Sequence, residues 1–175
     1  MTLLGDTPVL QTARLTLRVP EEGDFEAWAG FQAGDRARFI GGPHDRGRAW
    51  RGFASMLGHW VLHGTGPFVF AERESGRPLG STGPWFPMGW PEREIGWTVW
   101  TPQAEGRGYA GEAARAALDH AFRDLRWTTA VSYIEPGNAR SIALAERLGA
   151  RLDPEAAPPG ETPHIVYRHT PGARA

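Results

Sequence analysis

Glu94-Ile95-Gly96-Trp97-Thr98-Val99-Trp100, followed by Glu105-Gly106-Arg107-Gly108-Tyr109-Ala110-Gly111, then Thr129-Ala130-Val131-Ser132-Tyr133-Ile134 and the segment from Asn138 to Gly149, is the run on which the fold reading turns. The first piece is aromatic and β-branched and stops at Thr101-Pro102, so it reads as a strand. The second lets the backbone turn at its glycines and leaves amide N–H groups unshielded. After it, Ala113, Ala114, Ala117, Leu118, Ala121 and Leu125 recur at helical spacing, an apolar stripe made mostly of alanine that can approach a sheet closely. The positive end of that helix dipole adjoins the glycine amides, a combination that favours a phosphate or pyrophosphate.

The third piece reads as a strand parallel to the first, because a helix of crossover length separates them. Asn138 is placed to cap a following helix with Ser141, Leu144, Ala145 and Leu148 on its inner side, and Gly149 supplies the stop. Asn138 and Ser141, three apart, can face one site.

These residues resemble the GNAT superfamily of acyl-CoA-dependent N-acetyltransferases, in particular its bacterial RimJ/RimL-like branch. Glu105-Gly106-Arg107-Gly108-Tyr109-Ala110 matches the family's Gln/Arg-x-x-Gly-x-Gly/Ala loop at every fixed position but the first. Asn138 through Gly149 meets Asn-x-x-Ser-x-x-Leu-x-Glu-x-Leu-Gly in full. The phrase Thr12-Ala13-Arg14-Leu15-Thr16-Leu17-Arg18 is similar to the opening common in that branch.

The resemblance implies an α+β sandwich, the GNAT fold: about seven strands in a mixed sheet, mostly antiparallel with one splayed parallel pair, flanked by about four helices. It implies acetyl-CoA as cosubstrate and transfer of its acetyl group to a primary amine, of a protein N-terminus or a small molecule, by direct attack. Pantetheine would lie in the splay against the backbone of Thr98, Val99 and Trp100. The pyrophosphate would rest on the amides from Gly106 through Gly111, with Arg107, Gly108, Tyr109 and Ala110 between, and Asn138 would bind the pantetheine side. Asn138 read from the residues alone is a plain helix cap, and the two roles are compatible.

For the chemistry, Glu94 is the expected general base, with a surface carboxylate paired to Arg93 as the alternative. Ser141 is the expected proton donor to the departing thiolate. Many family members use a tyrosine at the position held here by Ala145, which leaves Tyr133 and water as further donors. Glu105, a carboxylate beside an anion seat, is expected to turn its side chain away.

Outside that run, 175 residues suffice for one core, so a single domain over 1–175 is expected. A net charge of −1 gives no footprint for nucleic acid, and no basic run or long apolar stretch points to a membrane. The chain has no cysteine, which excludes a thiolate zinc site or a cysteine nucleophile and fits a cytoplasmic location. No targeting segment is expected in residues 1–20. His59 and His63 stand at metal-binding spacing but lack a third ligand, so no metal is expected. A monomer or homodimer is expected.

Upstream, Thr12–Val19 alternates as a strand, and Asp24 is placed to cap a helix through Ala27, Trp28 and Phe31. A loop at Phe39–His44 leads to a helix from Arg46 to His63, with Trp50, Phe53, Ala54, Leu57, Trp60 and Val61 as its buried side. Residues 68–72 and 78–83 read as a hairpin. Trp85, Phe86 and Trp90 in the next loop either cover a sheet edge or line an acceptor pocket. Short strands are expected around 150–153 and 164–168.

Two rivals stand beside this reading. Gly106-x-Gly108-x-x-Gly111 with Glu135 satisfies a dinucleotide fingerprint, as in an oxidoreductase. A non-catalytic acyl-CoA-binding module is the other.

Overall fold

The computed structural model describes residues 7–172, so the first six residues and the last three of the expected single domain lie outside it. Its strands are β1 (Leu10–Gln11), β2 (Leu15–Arg18), β3 (Phe68–Glu72), β4 (Pro78–Trp85), β5 (Glu94–Val99), β6 (Ala130–Ile134), β7 (Arg151–Leu152) and β8 (Ile165–His169). They form one sheet in the order β1-β2-β3-β4-β5-β6-β8-β7. Every neighbouring pair is antiparallel except β5–β6. Helices α1 (Phe25–Gln32), α2 (Arg46–His63), α3 (Tyr109–Arg123) and α4 (Ala139–Arg147) flank it. This is the GNAT fold with eight strands rather than about seven. A doubly wound dinucleotide fold needs a run of parallel strands, and a single parallel pair cannot supply it.

Alternation along β5 sorts its side chains to two layers. Trp100, just past the strand, packs with Trp28, Phe31 and Phe53 in the cluster under α1 and α2, its ring 5.6 Å from that of Trp28. Ile95 and Trp97 belong with Ala114, Leu118 and Leu144 under α3 and α4. The alanine stripe of α3 does what its size allows: Ala113, Ala114, Ala117 and Ala121 are fully buried, and the helix lies directly on the sheet.

Four expectations are corrected. The strand expected at Thr12–Val19 begins only at Leu15, with a further short strand ahead of it, because Thr12 Oγ1 accepts the Leu15 N–H at 3.0 Å and turns the chain between β1 and β2. Asp24 does not cap α1. Its carboxylate takes Arg18 at 2.7 and 2.9 Å and the Glu21 N–H at 2.8 Å, making a capping box for the 3₁₀ turn at Glu22–Asp24. Part of the loop at 39–44 is the end of a second 3₁₀ turn, Asp35–Ile40. On α2 the buried face is Ala49, Phe53, Met56, His59 and Trp60, while Trp50 and Val61 are about half exposed. The stripe is rotated because the Trp28 indole donates to the Ala49 carbonyl at 2.8 Å, which needs a small residue against α1.

Gly80 is the closest approach in the sheet. A Cβ there would stand 2.1 Å from the Thr98 carbonyl oxygen and 2.3 Å from the Phe70 ring. Gly80→Ala is therefore expected to lower unfolding free energy by about 3 kcal/mol or more, measured by urea denaturation; a change below about 0.5 kcal/mol would contradict this packing.

Candidate active site

β5 and β6 share one register pair, Glu94 with Val131, where the Val131 N–H donates to the Arg93 carbonyl at 3.0 Å. A continued parallel ladder would next bring the Tyr133 N–H to the Ile95 carbonyl, and the Trp97 N–H to Tyr133. Side chains intervene instead. The Ile95 carbonyl accepts Ser132 Oγ at 2.7 Å, and the Tyr133 backbone lies close enough to the Glu94 carboxylate to favour its charged form. Ser132 Oγ is also 2.9 Å from His169 Nε2 on β8. With the hydroxyl hydrogen spent on Ile95, the imidazole must donate from Nε2. Burial, with a smaller repulsion from Arg115, lowers the His169 pKa to about 4, so the ring is neutral and the stitch holds near neutrality.

Beyond this vertex the two strands part. Trp100 N–H donates to the Leu79 carbonyl at 2.8 Å, and antiparallel alternation commits the Thr98 N–H to β4 as well. Of the three backbone positions singled out in the sequence, only Val99 turns its N–H into the gap, and Trp97, not singled out, does the same. The carbonyls of Val99 and Trp100 are both held by Arg36, at 2.8 Å each.

The gap opens into a cavity of about 790 Å³. On its α1/α2 side stands Glu94, whose Oε2 accepts the Trp90 indole N–H at 2.7 Å. Burial raises the Glu94 pKa to about 7, against the opposing hydrogen bonds from Trp90 and Tyr133. Glu94 is not paired with Arg93, whose guanidinium lies over the Trp127 ring at 5.2 Å. On the α4 side, Ser141 Oγ accepts the Trp97 indole N–H at 3.2 Å, which leaves its own hydrogen free for a group in the cavity. The Tyr133 hydroxyl accepts the Glu92 N–H at 3.2 Å and is free in the same way. Asn138 lines the cavity while its Oδ1 accepts the Ser141 N–H at 3.2 Å, and Ala145 is fully buried among Ile134, Ala150 and Tyr167. Trp85 and Trp90 line the cavity, while Phe86 is largely exposed.

The glycine loop lies beyond the enclosed part of the cavity, at the surface. Gly106 (φ +69°) and Gly108 (φ +77°) are left-handed, and nothing lies within 4 Å of a Cβ built on Gly106. The ladder of α3 starts with Glu112 N–H donating to the Gly108 carbonyl at 3.0 Å, so the N–H groups of Tyr109, Ala110 and Gly111 have no helix partner. Gly111 is already helical, and a Cβ on it would sit 3.4 Å from Leu144. Tyr109 is 5% exposed, its ring flanked by Arg14 at 4.4 Å and Arg107 at 5.5 Å. Glu105 is clasped on both oxygens, Oε1 by Arg36 at 2.7 and 2.8 Å and Oε2 by Arg140 at 2.7 Å. Burial opposes its ionisation, but the two arginines outweigh it and hold its pKa below the usual range.

Arg36, Trp97, Ser132 and Arg140 went unnoticed in the sequence, because each acts through a partner at least 35 residues away. At the histidine pair, His59 Nε2 accepts the Phe86 N–H at 2.9 Å and the ring stacks on Trp85 at 4.3 Å. Among the described residues no cluster of three His, Asp or Glu side chains could hold a metal ion, and no helix is long and apolar enough to cross a membrane.

The family described as Acetyltransferase (GNAT) domain matches residues 14–151. A crystal structure of an acetyltransferase from Agrobacterium tumefaciens str. C58 is 40% identical, with a TM-score of 0.88 over 97% of this chain and 98% of that one. From Bacillus subtilis (strain 168), the uncharacterized protein YkkB is 48% identical over 44 residues, 25% of this chain and 26% of that protein. The uncharacterized N-acetyltransferase YnaD is 34% identical over 60 residues, 34% of this chain and 35% of that protein. The chain thus matches about a quarter to a third of the length of these curated relatives.

Glu105 places a negative charge beside the open amides and occupies Arg140, whose side chain is 83% exposed. An exposed pair of this kind is weak and exchangeable. Glu105→Gln is expected to tighten coenzyme A binding about threefold to tenfold at low salt, with the gain shrinking as salt rises; weaker binding by calorimetry would show that Glu105 is needed to hold Arg36.

Proposed function

The chain belongs to the acetyltransferase (GNAT) family, and we propose that it is a single-domain, cytoplasmic N-acetyltransferase carrying an acetyl group from acetyl-CoA to a primary amine by direct attack. The observation that carries this reading is the placement of Glu94 at the point where β5 and β6 part, at the start of the strand whose Trp97 and Val99 N–H groups face the gap.

In this mechanism the pantetheine arm lies in the gap against Trp97 and Val99. The diphosphate rests on the amides from Gly106 to Gly111, helped by the dipole of α3 and by Arg140 released from Glu105. A backbone N–H at the edge of β5 polarises the thioester carbonyl and stabilises the tetrahedral oxyanion. Glu94, with a pKa near neutrality, takes the proton of the attacking amine directly or through water. Ser141, its hydrogen uncommitted, donates to the leaving thiolate. Tyr133 is the second candidate because burial raises its pKa and keeps it protonated. Asn138 both caps α4 and faces the cofactor. The opening phrase at residues 12–18 and the two matched motifs favour the RimJ/RimL-like branch.

The Glu94 pKa is raised, so the base is inactive below about 7 and active above it. The value of kcat/KM, followed by free-thiol release, is expected to climb with pH through an apparent pKa near 7 and then level. Glu94→Gln should abolish that limb and lower kcat about 100-fold, with acetyl-CoA affinity retained. An unchanged profile in that variant would remove Glu94 from the mechanism.

Ser141→Ala is expected to lower kcat about tenfold or more with little change in KM for acetyl-CoA. Full activity there, with loss in Tyr133→Phe, would move the proton-donor role to Tyr133. Acetyl-CoA binding without transfer to any amine would favour a non-catalytic module.

A further inference from the structure

The lining of the cavity carries both signs of charge. Glu94 and Glu135 stand on the β5–β6 wall, while Arg48 and Arg51 line the α2 wall one helical turn apart, with His44 in the loop leading into it. Asp45 uses its carboxylate to cap α2, accepting the Arg48 N–H at 2.8 Å. Both arginines also help hold the Asp45 carboxylate below the usual range, after its hydrogen bond from the Arg48 N–H, without closing an ion pair with it. Two arginines and two carboxylates in one lining set up a field that orients a dipolar guest.

Gln32 is an independent sign of a ligand at the cationic wall. It lines the same cavity, is 2% exposed, and its Oε1 has no hydrogen-bond partner. A buried amide oxygen left unpaired is costly, and the amide nitrogen, which donates to no protein group among the described residues, keeps its N–H donors for a ligand. Its backbone carbonyl holds the loop by accepting the His44 N–H at 2.7 Å. Between the two walls the lining is apolar: Trp28, Met56, Trp85 and Trp90.

We propose that the acceptor is a small zwitterion, a primary amine on an apolar or aromatic body that also bears a carboxylate. The amine lies toward Glu94, and the carboxylate meets Arg48, Arg51 and the Gln32 amide. This inference rests on the acetyl-transfer reading. In the transfer the neutral amine nitrogen attacks the thioester carbonyl carbon, the C–N bond forms and the C–S bond breaks. The ammonium first gives one proton to Glu94 to become the neutral nucleophile, and the second nitrogen proton, lost as the amide forms, passes through Ser141 or water to the departing thiolate.

The test compares matched amines by free-thiol release: phenylalanine against phenethylamine, tryptophan against tryptamine, and a peptide beginning with phenylalanine. The full chain is assayed beside the double variant Arg48→Gln, Arg51→Gln, with coenzyme A binding by calorimetry as the control for folding. The expected result is a preference of at least about tenfold in kcat/KM for the carboxylate-bearing amines. It should fall toward parity in the double variant through a rise in KM, and partly return in Arg48→Lys, Arg51→Lys. Equal use of both members of each pair, or a ratio unmoved by the double variant, would overturn the proposal while leaving acetyl transfer intact. Preference for the peptide would overturn it in favour of a protein N-terminus. No thiol release with any amine, despite coenzyme A binding, would end the transfer reading and this inference together.

Discussion

Two strands that run side by side for a single register pair and then separate are the constraint on which the rest depends. Parallel strands left unpaired expose N–H and C=O groups that must find other partners, and here side chains do that at the point of separation. Ser132 closes the Ile95 carbonyl, the Glu94 carboxylate lies near the Tyr133 backbone, and a neutral His169 backs Ser132 from β8. The gap is therefore built into the sheet. The same stitch makes Glu94 a hinge point of the sheet and a carboxylate with a pKa near 7, so backbone geometry and acid–base chemistry share one residue.

The helices follow from the gap. An alanine-faced α3 lies on the sheet with the loop before it tied through Arg36 to the end of β5 and through Arg140 to α4, and α4 brings Asn138 and Ser141 to the cavity. On the other face the cavity is walled by aromatic groups held by specific bonds, Trp28 of α1 to Ala49 of α2 and Trp90 of the β4–β5 connection to Glu94. Glu105 departs from the usual residue type of the loop, yet its charge is neutralised by Arg36 from one flank and Arg140 from the other. Loop, strand end and α4 are thereby tied together by exposed charges that a stronger anion can rearrange.

Much of this was legible because the signals are local. The glycine turn, the alanine stripe, the Asn138 cap and the strand before Thr101 each depend on residues a few positions apart, and the structure places these elements close to where the sequence does. What was not legible depends on register. Which N–H groups of β5 face the gap is fixed by pairing with β4, so Trp97 could not be distinguished from Thr98 beforehand. The Arg36–Glu105 and Ser132–His169 contacts join residues far apart in sequence, with no pattern to mark them. On α2 the largest apolar residues misled: Trp50 lies half exposed with its ring edge-on to Phe25 at 5.1 Å, while small Ala49 faces inward. Asp24 misled in another way, since a carboxylate ahead of a helix looks like a cap even when an arginine six residues earlier claims it.

The central claim is that the gap between β5 and β6, with the amides at its mouth, is where acetyl-CoA sits. Amide hydrogen exchange resolved by NMR tests it most directly, with and without saturating acetyl-CoA. Slowed exchange at Trp97, Val99 and the stretch from Gly106 to Gly111, with Thr98 and Trp100 unchanged because β4 already holds them, is the predicted result. Unaltered exchange at Val99 and across the glycine loop, with protection elsewhere, would contradict it.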